Sequence, residues 1–230
     1  MTHLVVGYGE VGQAVQKLLK CNALDSLSPL VRHDGFLKKG PRKYDVLHIC
    51  FPYSKDFVKL VKNYEKEFSA KLVIIHSTVP VGTSAECDAV HSPIRGVHPH
   101  LFKGLRTFVK YFGGKRAVEA ANIFKIFGIR VKAVDNSDTT EALKLWDTTQ
   151  YGLLIQQNKL IHAWCKENGL DFDIIYTDAN KTYNEGYTRL GRPDVVRPYL
   201  KYVDGKIGGH CVIPNGYLLS KQIGKGLEAF

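Results

Sequence analysis

The 230-residue chain has no long apolar run, no closely spaced cysteine pair and no block rich in lysine and arginine. The first absence excludes a membrane-spanning helix, which needs about 20 apolar residues. The run Leu4-Val5-Val6 that follows Met1 is also too short for the apolar stretch of a signal peptide. Cys21, Cys50, Cys87, Cys165 and Cys211 are odd in number, widely spaced and without a C-x-x-C pair, which fits a reduced intracellular setting. Lys and Arg number 32 against 22 Asp and Glu, a formal charge of +10 that favours an anionic partner such as a phosphorylated small molecule. The basic residues are nonetheless dispersed and lack interleaved aromatics, so no nucleic-acid surface is expected. The expectation is a soluble, cytoplasmic protein bound to neither membrane nor nucleic acid.

With 44% hydrophobic and 23% charged residues, the composition is that of a globular chain, without internal repeats or low-complexity segments. Short apolar runs at Leu4–Val6, Val46–Phe51 and Leu72–Ile75 alternate with amphipathic stretches at Glu10–Lys20, Lys55–Phe68 and Lys115–Phe127. This is the rhythm of a parallel sheet covered on both faces. In the second stretch Phe57, Leu60, Val61, Tyr64 and Phe68 share one helical face, opposite Lys59, Lys62, Asn63 and Glu65, so the first set should lie on the sheet. Arg130–Val134 reads as a further strand, and Asp135-Asn136-Ser137-Asp138 supplies N-cap residues. A domain boundary is placed here, giving domains 1–135 and 136–230. From Thr139 to Glu167 there is no proline, and Leu143, Trp146, Leu153, Leu154, Ile161 and Trp164 recur, which predicts one long helix stopping at Gly169. So long a helix suggests pairing with a second copy in a homodimer; a broken helix within a monomer is the alternative. Ile174–Tyr187 reads as a second helix and Gly191–Pro214 as loop.

Gly7-Tyr8-Gly9-Glu10-Val11-Gly12 follows a strand and opens a helix. In that context the three glycines serve a tight turn, close approach of the backbone to a diphosphate, and close packing of helix on strand. The fold class is therefore α/β, a Rossmann-type doubly wound parallel sheet followed by a smaller, mainly helical domain with one long helix. NAD is the expected cofactor, with NADP the alternative; a tight turn without ligand is the bland reading. Asp34, after the run Leu30-Val31-Arg32-His33, is placed to meet the ribose hydroxyl, whereas Arg32, His33, Lys38 and Lys39 around it suit a 2′-phosphate. Pro52, past the run ending at Phe51, is counted with the cofactor-binding residues. In Ile75-His76-Ser77-Thr78-Val79-Pro80-Val81-Gly82-Thr83 a strand ends in hydroxyls, and Ser77 and Thr78 are expected at the cofactor crevice, although such residues more often cap a helix.

Together, Gly7–Gly12, Ser77–Thr83, Glu141-x-x-Lys144 and Gly208-Gly209-His210-Cys211 occur in the order seen in the UDP-glucose/GDP-mannose family of nucleotide-sugar 6-dehydrogenases, which the chain resembles. The Gly-Gly-His-Cys form is most similar to members acting on UDP-N-acetylhexosamines. The resemblance implies a 6-phosphogluconate dehydrogenase-like helical part and oxidation of a primary alcohol by NAD through an intermediate held on cysteine. It makes Cys211 the nucleophile and Lys144 the oxyanion-stabilising lysine, and it implies a small anionic substrate such as a sugar nucleotide. Read from the residues alone, Cys211 could be an inert buried thiol, and Glu141 with Lys144 a solvated surface pair.

Three departures accompany the resemblance. Asn215 stands where the family has an acid four residues after the cysteine, and Thr148 where it has an asparagine. His98-Pro99-His100 replaces a Pro-Glu segment, leaving His100 as a substitute base. The sequence also ends where the family continues into a third, nucleotide-covering domain. A diverged dinucleotide-binding module without catalysis is thus the alternative. The loop histidines His91, His98 and His100, with His76, lack helical i, i+4 presentation, and no metal is expected.

Overall fold

The computed structural model describes residues 1–25, 28–32, 35–36, 43–207 and 211–223. It divides into two compact units, Met1–Lys144 and Leu145–Phe230. Among the described residues no helix is long and apolar enough to cross a membrane.

The first unit opens with strand β1 (His3–Val6), helix α1 (Glu10–Leu19) and β2 (Asn22–Asp25), followed by β3 (Ser28–Arg32) and β4 (Gly35–Phe36). Then come β5 (Val46–Ile49), α2 (Phe57–Phe68), β6 (Leu72–Ile75), α3 (Thr83–Glu86), β7 (Val90–His91), α4 (Leu101–Thr107), β8 (Lys110–Gly113), α5 (Ala117–Lys125) and β9 (Val131–Val134). The sheet order among the described residues is β4-β3-β2-β1-β5-β6-β7-β8-β9. Strands β2, β1, β5, β6 and β7 run parallel, as do β8 and β9, while β2/β3, β3/β4 and β7/β8 are antiparallel. The chain moves outward from β1 to β2 and then returns to place β5 on the other side, so the topological switch lies between β1 and β5. Ligands of such sheets bind beyond the carboxyl ends of the strands at that point.

Both faces are covered because successive strand side chains alternate. Val5, Val46, Leu72 and Ile74 pack with Ala14, Val15 and Leu18 of α1, and with residues of α4 and α5, on one face. Leu4, Val6, Leu47, Ile49, Val73 and Ile75 meet Phe57 and Val61 of α2 on the other. Complete burial of Phe57 and Val61 contributes about 1.5–3 kcal/mol each. Leu60, assigned to the same helical face from its spacing, is instead 37% exposed.

Helix α6 (Ser137–Glu167) begins where Asn136 Oδ1 accepts from the Asp138 amide at 2.7 Å. Of the four capping residues foreseen, Asn136 therefore makes this bond. The helix stops as expected at Gly169, whose φ is +65°: the Leu170 amide bonds Cys165 O at 2.9 Å, closing the left-handed C-terminal motif that glycine favours. The division between the units falls inside α6, after Lys144.

Within the second unit, a π-helical segment (Asp173–Asp178) runs into α7 (Ala179–Arg189), where one helix over 174–187 was foreseen. A short 3-10 turn covers Pro193–Val195. The Tyr202 ring stacks on His162 with centroids 3.6 Å apart, and Asn158 Nδ2 donates to Leu200 O at 2.9 Å, fixing the long segment that follows the turn to α6. Helix α8 (Val212–Ile223) overturns the loop expected up to Pro214. Proline in a first turn removes an amide that has no intrahelical acceptor in any case, so it does not prevent the helix.

Candidate functional site

At the end of β1 the backbone turns at Gly7, with φ +95°. A Cβ there would lie 2.6 Å from the Phe51 amide nitrogen, at the end of β5, and one on Gly12 would lie 1.9 Å from Gly7 O. Both glycines are required by contact between α1 and the two central strands. Gly9 differs: it is exposed, and a Cβ on it would meet nothing within 4 Å. Gly9 is the N-cap of α1 and makes no side-chain cap, so open space lies over amides at the positive end of a helix. This is a concavity suited to a phosphate group.

The neighbouring motif residues frame the turn. Tyr8 hydroxyl donates to Gln16 Oε1 at 2.7 Å and Gln13 Nε2 donates to Tyr8 O at 3.1 Å, fastening the turn to α1. Glu10 is exposed and its carboxylate meets His98 Nδ1. Val11 packs partly against the core, and Pro52 is exposed beyond β5. The strand beside β1 is Asn22–Asp25, not the run Leu30–His33, whose first residues form part of an antiparallel strand. Asp25, at the end of that neighbouring strand, was missed by the sequence reading. Asp34, with His33, Lys38 and Lys39, lies outside the described residues.

The hydroxyl-rich end of β6 divides in use. Ser77 is buried and donates to Phe51 O at 2.6 Å, tying β6 to β5, while Thr78 is only partly buried at the same carboxyl edge. Glu141 is fully buried, in contrast to the solvated surface pair that its spacing from Lys144 suggests. Its carboxylate accepts from the Gly82 amide at 2.7 Å and the Ser84 amide at 2.8 Å, clamping the turn after Pro80. Burial raises the affinity of this carboxyl for its proton, against the opposing effect of those bonds. Lys144 Nζ donates to Ile94 O at 3.0 Å.

The histidines grouped by sequence are separated in space. His76 and His91 are interior, whereas His98 and His100 are exposed on the loop before and at the start of α4. His91 bridges Thr140 Oγ1 at 2.9 Å and Ser77 O at 3.2 Å, and burial lowers its pKa to about 3. Among the described residues no group of three or more metal-ligating side chains assembles.

In the second unit Cys211 is partly buried and its carbonyl accepts the Asn215 amide at 3.0 Å, which places it at the start of α8. Residues 208–210 lie outside the described set. Asn215 is 5% exposed and its Nδ2 donates to Thr148 Oγ1 at 3.1 Å. The two positions that depart from the family pattern thus form a neutral hydrogen-bonded pair.

No protein-family model and no curated protein sequence matches the chain. Solved structures do. The UDP-D-ManNAc dehydrogenase of Pyrococcus horikoshii superposes with a TM-score of 0.77 at 18% identity, over 100% of this chain and 67% of that one. The NDP-N-acetyl-D-galactosaminuronic acid dehydrogenase of Methanosarcina mazei does so with a TM-score of 0.66 at 16% identity, over 98% and 61%. The 3-hydroxyisobutyrate dehydrogenase of Mycobacterium tuberculosis gives 0.64 at 15% identity, over 96% and 86%. The chain thus spans about two thirds or less of the length of the two sugar-nucleotide dehydrogenases. At these identities the likeness establishes the fold alone, a Rossmann-type sheet followed by a helical part.

Proposed function

We propose that the protein is an NAD(P)-dependent oxidoreductase similar to nucleotide-sugar dehydrogenases, oxidising a primary alcohol on a small anionic substrate such as a sugar nucleotide. The observation that carries this reading is the open, uncapped amide turn at Gly9, positioned by Gly7 and Gly12 at the switch point between β1 and β5. Those residues fit a dinucleotide diphosphate, and Asp25 at the end of β2 fits its ribose hydroxyls. NAD is favoured over NADP on that carboxylate, with Asp34 the sequence-based alternative. When bound, the nicotinamide supplies hydride acceptance.

The chain's own residues divide the remaining work. Thr78, at the carboxyl edge of β6, hydrogen-bonds substrate or cofactor, and His100 takes the proton of the alcohol. Lys144 stabilises an oxyanion, and Cys211 forms the covalent bond to the partly oxidised carbon. A second reading is favoured by one observation: the Thr148–Asn215 pair is neutral and cannot act as a base four residues after Cys211. On that reading the protein binds dinucleotide without turnover.

Incubation with NAD or NADP and sugar nucleotides, followed at the absorbance of the reduced cofactor, separates the two. Turnover that Cys211→Ser reduces at least about 100-fold, with dinucleotide binding unchanged, is expected. Turnover indifferent to that substitution removes the covalent role. Saturable dinucleotide binding with no turnover on any substrate supports the second reading.

A further inference from the structure

Three histidines and a lysine form an unbroken row through the interior of the first unit. The sheet register produces it: His3 stands opposite Val46, two residues before His48, and His48 stands opposite Ile74, two residues before His76. A two-residue stagger keeps all three side chains on one sheet face, the face covered by α5. His3 Nδ1 lies 3.1 Å from His48 Nε2, and His48 Nδ1 lies 3.1 Å from His76 Nε2. The His48 and His76 rings are nearly parallel, at 9°, with centroids 5.3 Å apart; with nitrogens at 3.1 Å they meet edge to edge. Beyond them, Lys110 Nζ lies 3.2 Å from His76 Nδ1, 2.9 Å from Ser92 O and 3.4 Å from Pro93 O. His48, His76 and Lys110 are at most 3% exposed, while His3 is only partly buried.

One carbonyl sets the direction of the whole row. Ser92 O, 2.8 Å from His76 Nδ1, can only accept, so that nitrogen bears the hydrogen and His76 Nε2 presents a lone pair. His48 Nδ1 must then donate to His76, and His3 Nδ1 to His48. At the far end an uncharged amine satisfies every contact: its two N–H bonds reach Ser92 O and Pro93 O, and its lone pair faces the His76 Nδ1 hydrogen.

We infer that His3, His48, His76 and Lys110 are a buried proton relay, loaded at His3 and ending on the Lys110 amine. A proton added to Nε2 of His3 makes that ring cationic. Its Nδ1 proton passes to His48 Nε2, the His48 Nδ1 proton to His76 Nε2, and the His76 Nδ1 proton to Nζ. One proton enters, one N–H bond is gained overall, and the positive charge comes to rest on lysine. All three rings then carry hydrogen on Nε2, the third N–H of the ammonium donates to the bare His76 Nδ1, and Ser92 O loses its imidazole donor and keeps the ammonium as its donor. Phe112 and Phe124, whose centroids lie 5.4 and 5.2 Å from Nζ, present ring faces that favour the loaded cation. The empty relay is favoured by burial, which holds His48, His76 and Lys110 toward their neutral forms. The other charges facing the row are the Met1 amino group and Asp45 at His3, His91 at His76, and Cys50 and Lys144 at Lys110.

The test uses the full chain with 15N-labelled histidine, observed by long-range proton–nitrogen correlation, which assigns hydrogen to Nδ1 or Nε2 of each ring. At pH 7.5, His3, His48 and His76 should all carry it on Nδ1. On acidification, short of unfolding, the three should exchange to Nε2 with one shared midpoint, and in Lys110→Met His48 and His76 should keep Nδ1–H over the same range. Mixed tautomers within the row at pH 7.5 would overturn the relay, and so would separate midpoints, the same exchange in Lys110→Met, or rings that stay Nδ1–H until the protein unfolds. Should Lys110→Met fail to fold, the tautomers and midpoints of the unaltered chain decide the matter.

Discussion

Lowering the pH from 7 to 5 is the perturbation to which the interior of the first unit is most sensitive. Burial holds His48 and His76 well below the ordinary imidazole pKa and His91 at about 3. The unfolded chain protonates these rings below about pH 6.5 while the folded chain keeps them neutral, so the unfolded state binds more protons and stability falls as pH falls. Each ring contributes a slope of about 1.4 kcal/mol per pH unit, and three give about 4 kcal/mol per unit. Glu141, whose carboxyl is held protonated to higher pH by burial, opposes this by at most one proton and leaves about 2.7 kcal/mol per unit or more. Over the roughly 1.5 units from pH 6.5 to 5 that slope removes about 4 kcal/mol or more, close to the lower end of the 5–15 kcal/mol total stability of an ordinary domain. At the alkaline end the sign reverses: burial raises Cys21 to about 12, Cys87 to about 11 and Cys50 further still. Above about pH 9 the unfolded thiols therefore lose protons that the folded ones keep, only partly offset by Lys110, which burial keeps uncharged. Urea unfolding followed by circular dichroism, from pH 5 to 10 at fixed ionic strength, should give greatest stability near pH 8 and a steep loss below 6.5. A flat profile between pH 5 and 6.5 would refute the reasoning, because it would mean that the imidazoles charge within the folded protein.

Two further outcomes are expected. Glu141→Gln offers one acceptor and one amino group to the amides of Gly82 and Ser84, and should cost about 1–3 kcal/mol in urea unfolding at pH 7; a change below about 0.5 kcal/mol would mean that the clamp is not formed. We propose a homodimer through α6, on which Leu160 and Trp164 are 70% and 52% exposed one turn apart. Sedimentation should give twice the 25.8 kDa chain mass, falling to the single-chain mass in Leu160→Asp, and a monomer for the unaltered chain would rule the dimer out.

The central strands and their helices were legible because both periodicities are present: an apolar run at β5 interrupted only by His48, an unbroken one at β6, and a 3.6-residue stripe on α2. The glycine turn was equally plain, since Gly7 and Gly12 answer to close backbone contacts and Gly9 leaves open space. Asp25 was missed because β2 offers only Ala23-Leu24 as an apolar signal, weaker than Leu30-Val31. Its spacing was informative all the same, since it lies eighteen residues after Gly7, close to the ~20 usual for the ribose-binding acid. Strand β7 has two residues, too few for any period to show. The interior histidines were illegible for another reason: polar residues on alternate strand positions read as solvent-facing, and only the register between three strands brings His3, His48 and His76 into line. Sequence proximity grouped His91 with His98 and His100 instead, although one is interior and the others exposed. The contact of Asn215 with Thr148 joins positions 67 apart, and no local pattern reports such a pair.

Calorimetric titration of NAD and NADH into the unaltered chain and into Gly9→Ala bears most directly on the amide turn. A methyl group on Gly9 meets nothing in the protein, so thermal unfolding of the variant should match the original to within about 0.5 kcal/mol, while the methyl occupies the space a diphosphate needs. Saturable heat that weakens at least about tenfold in Gly9→Ala is the expected result. No heat at millimolar dinucleotide, or the same affinity in both proteins, would contradict it.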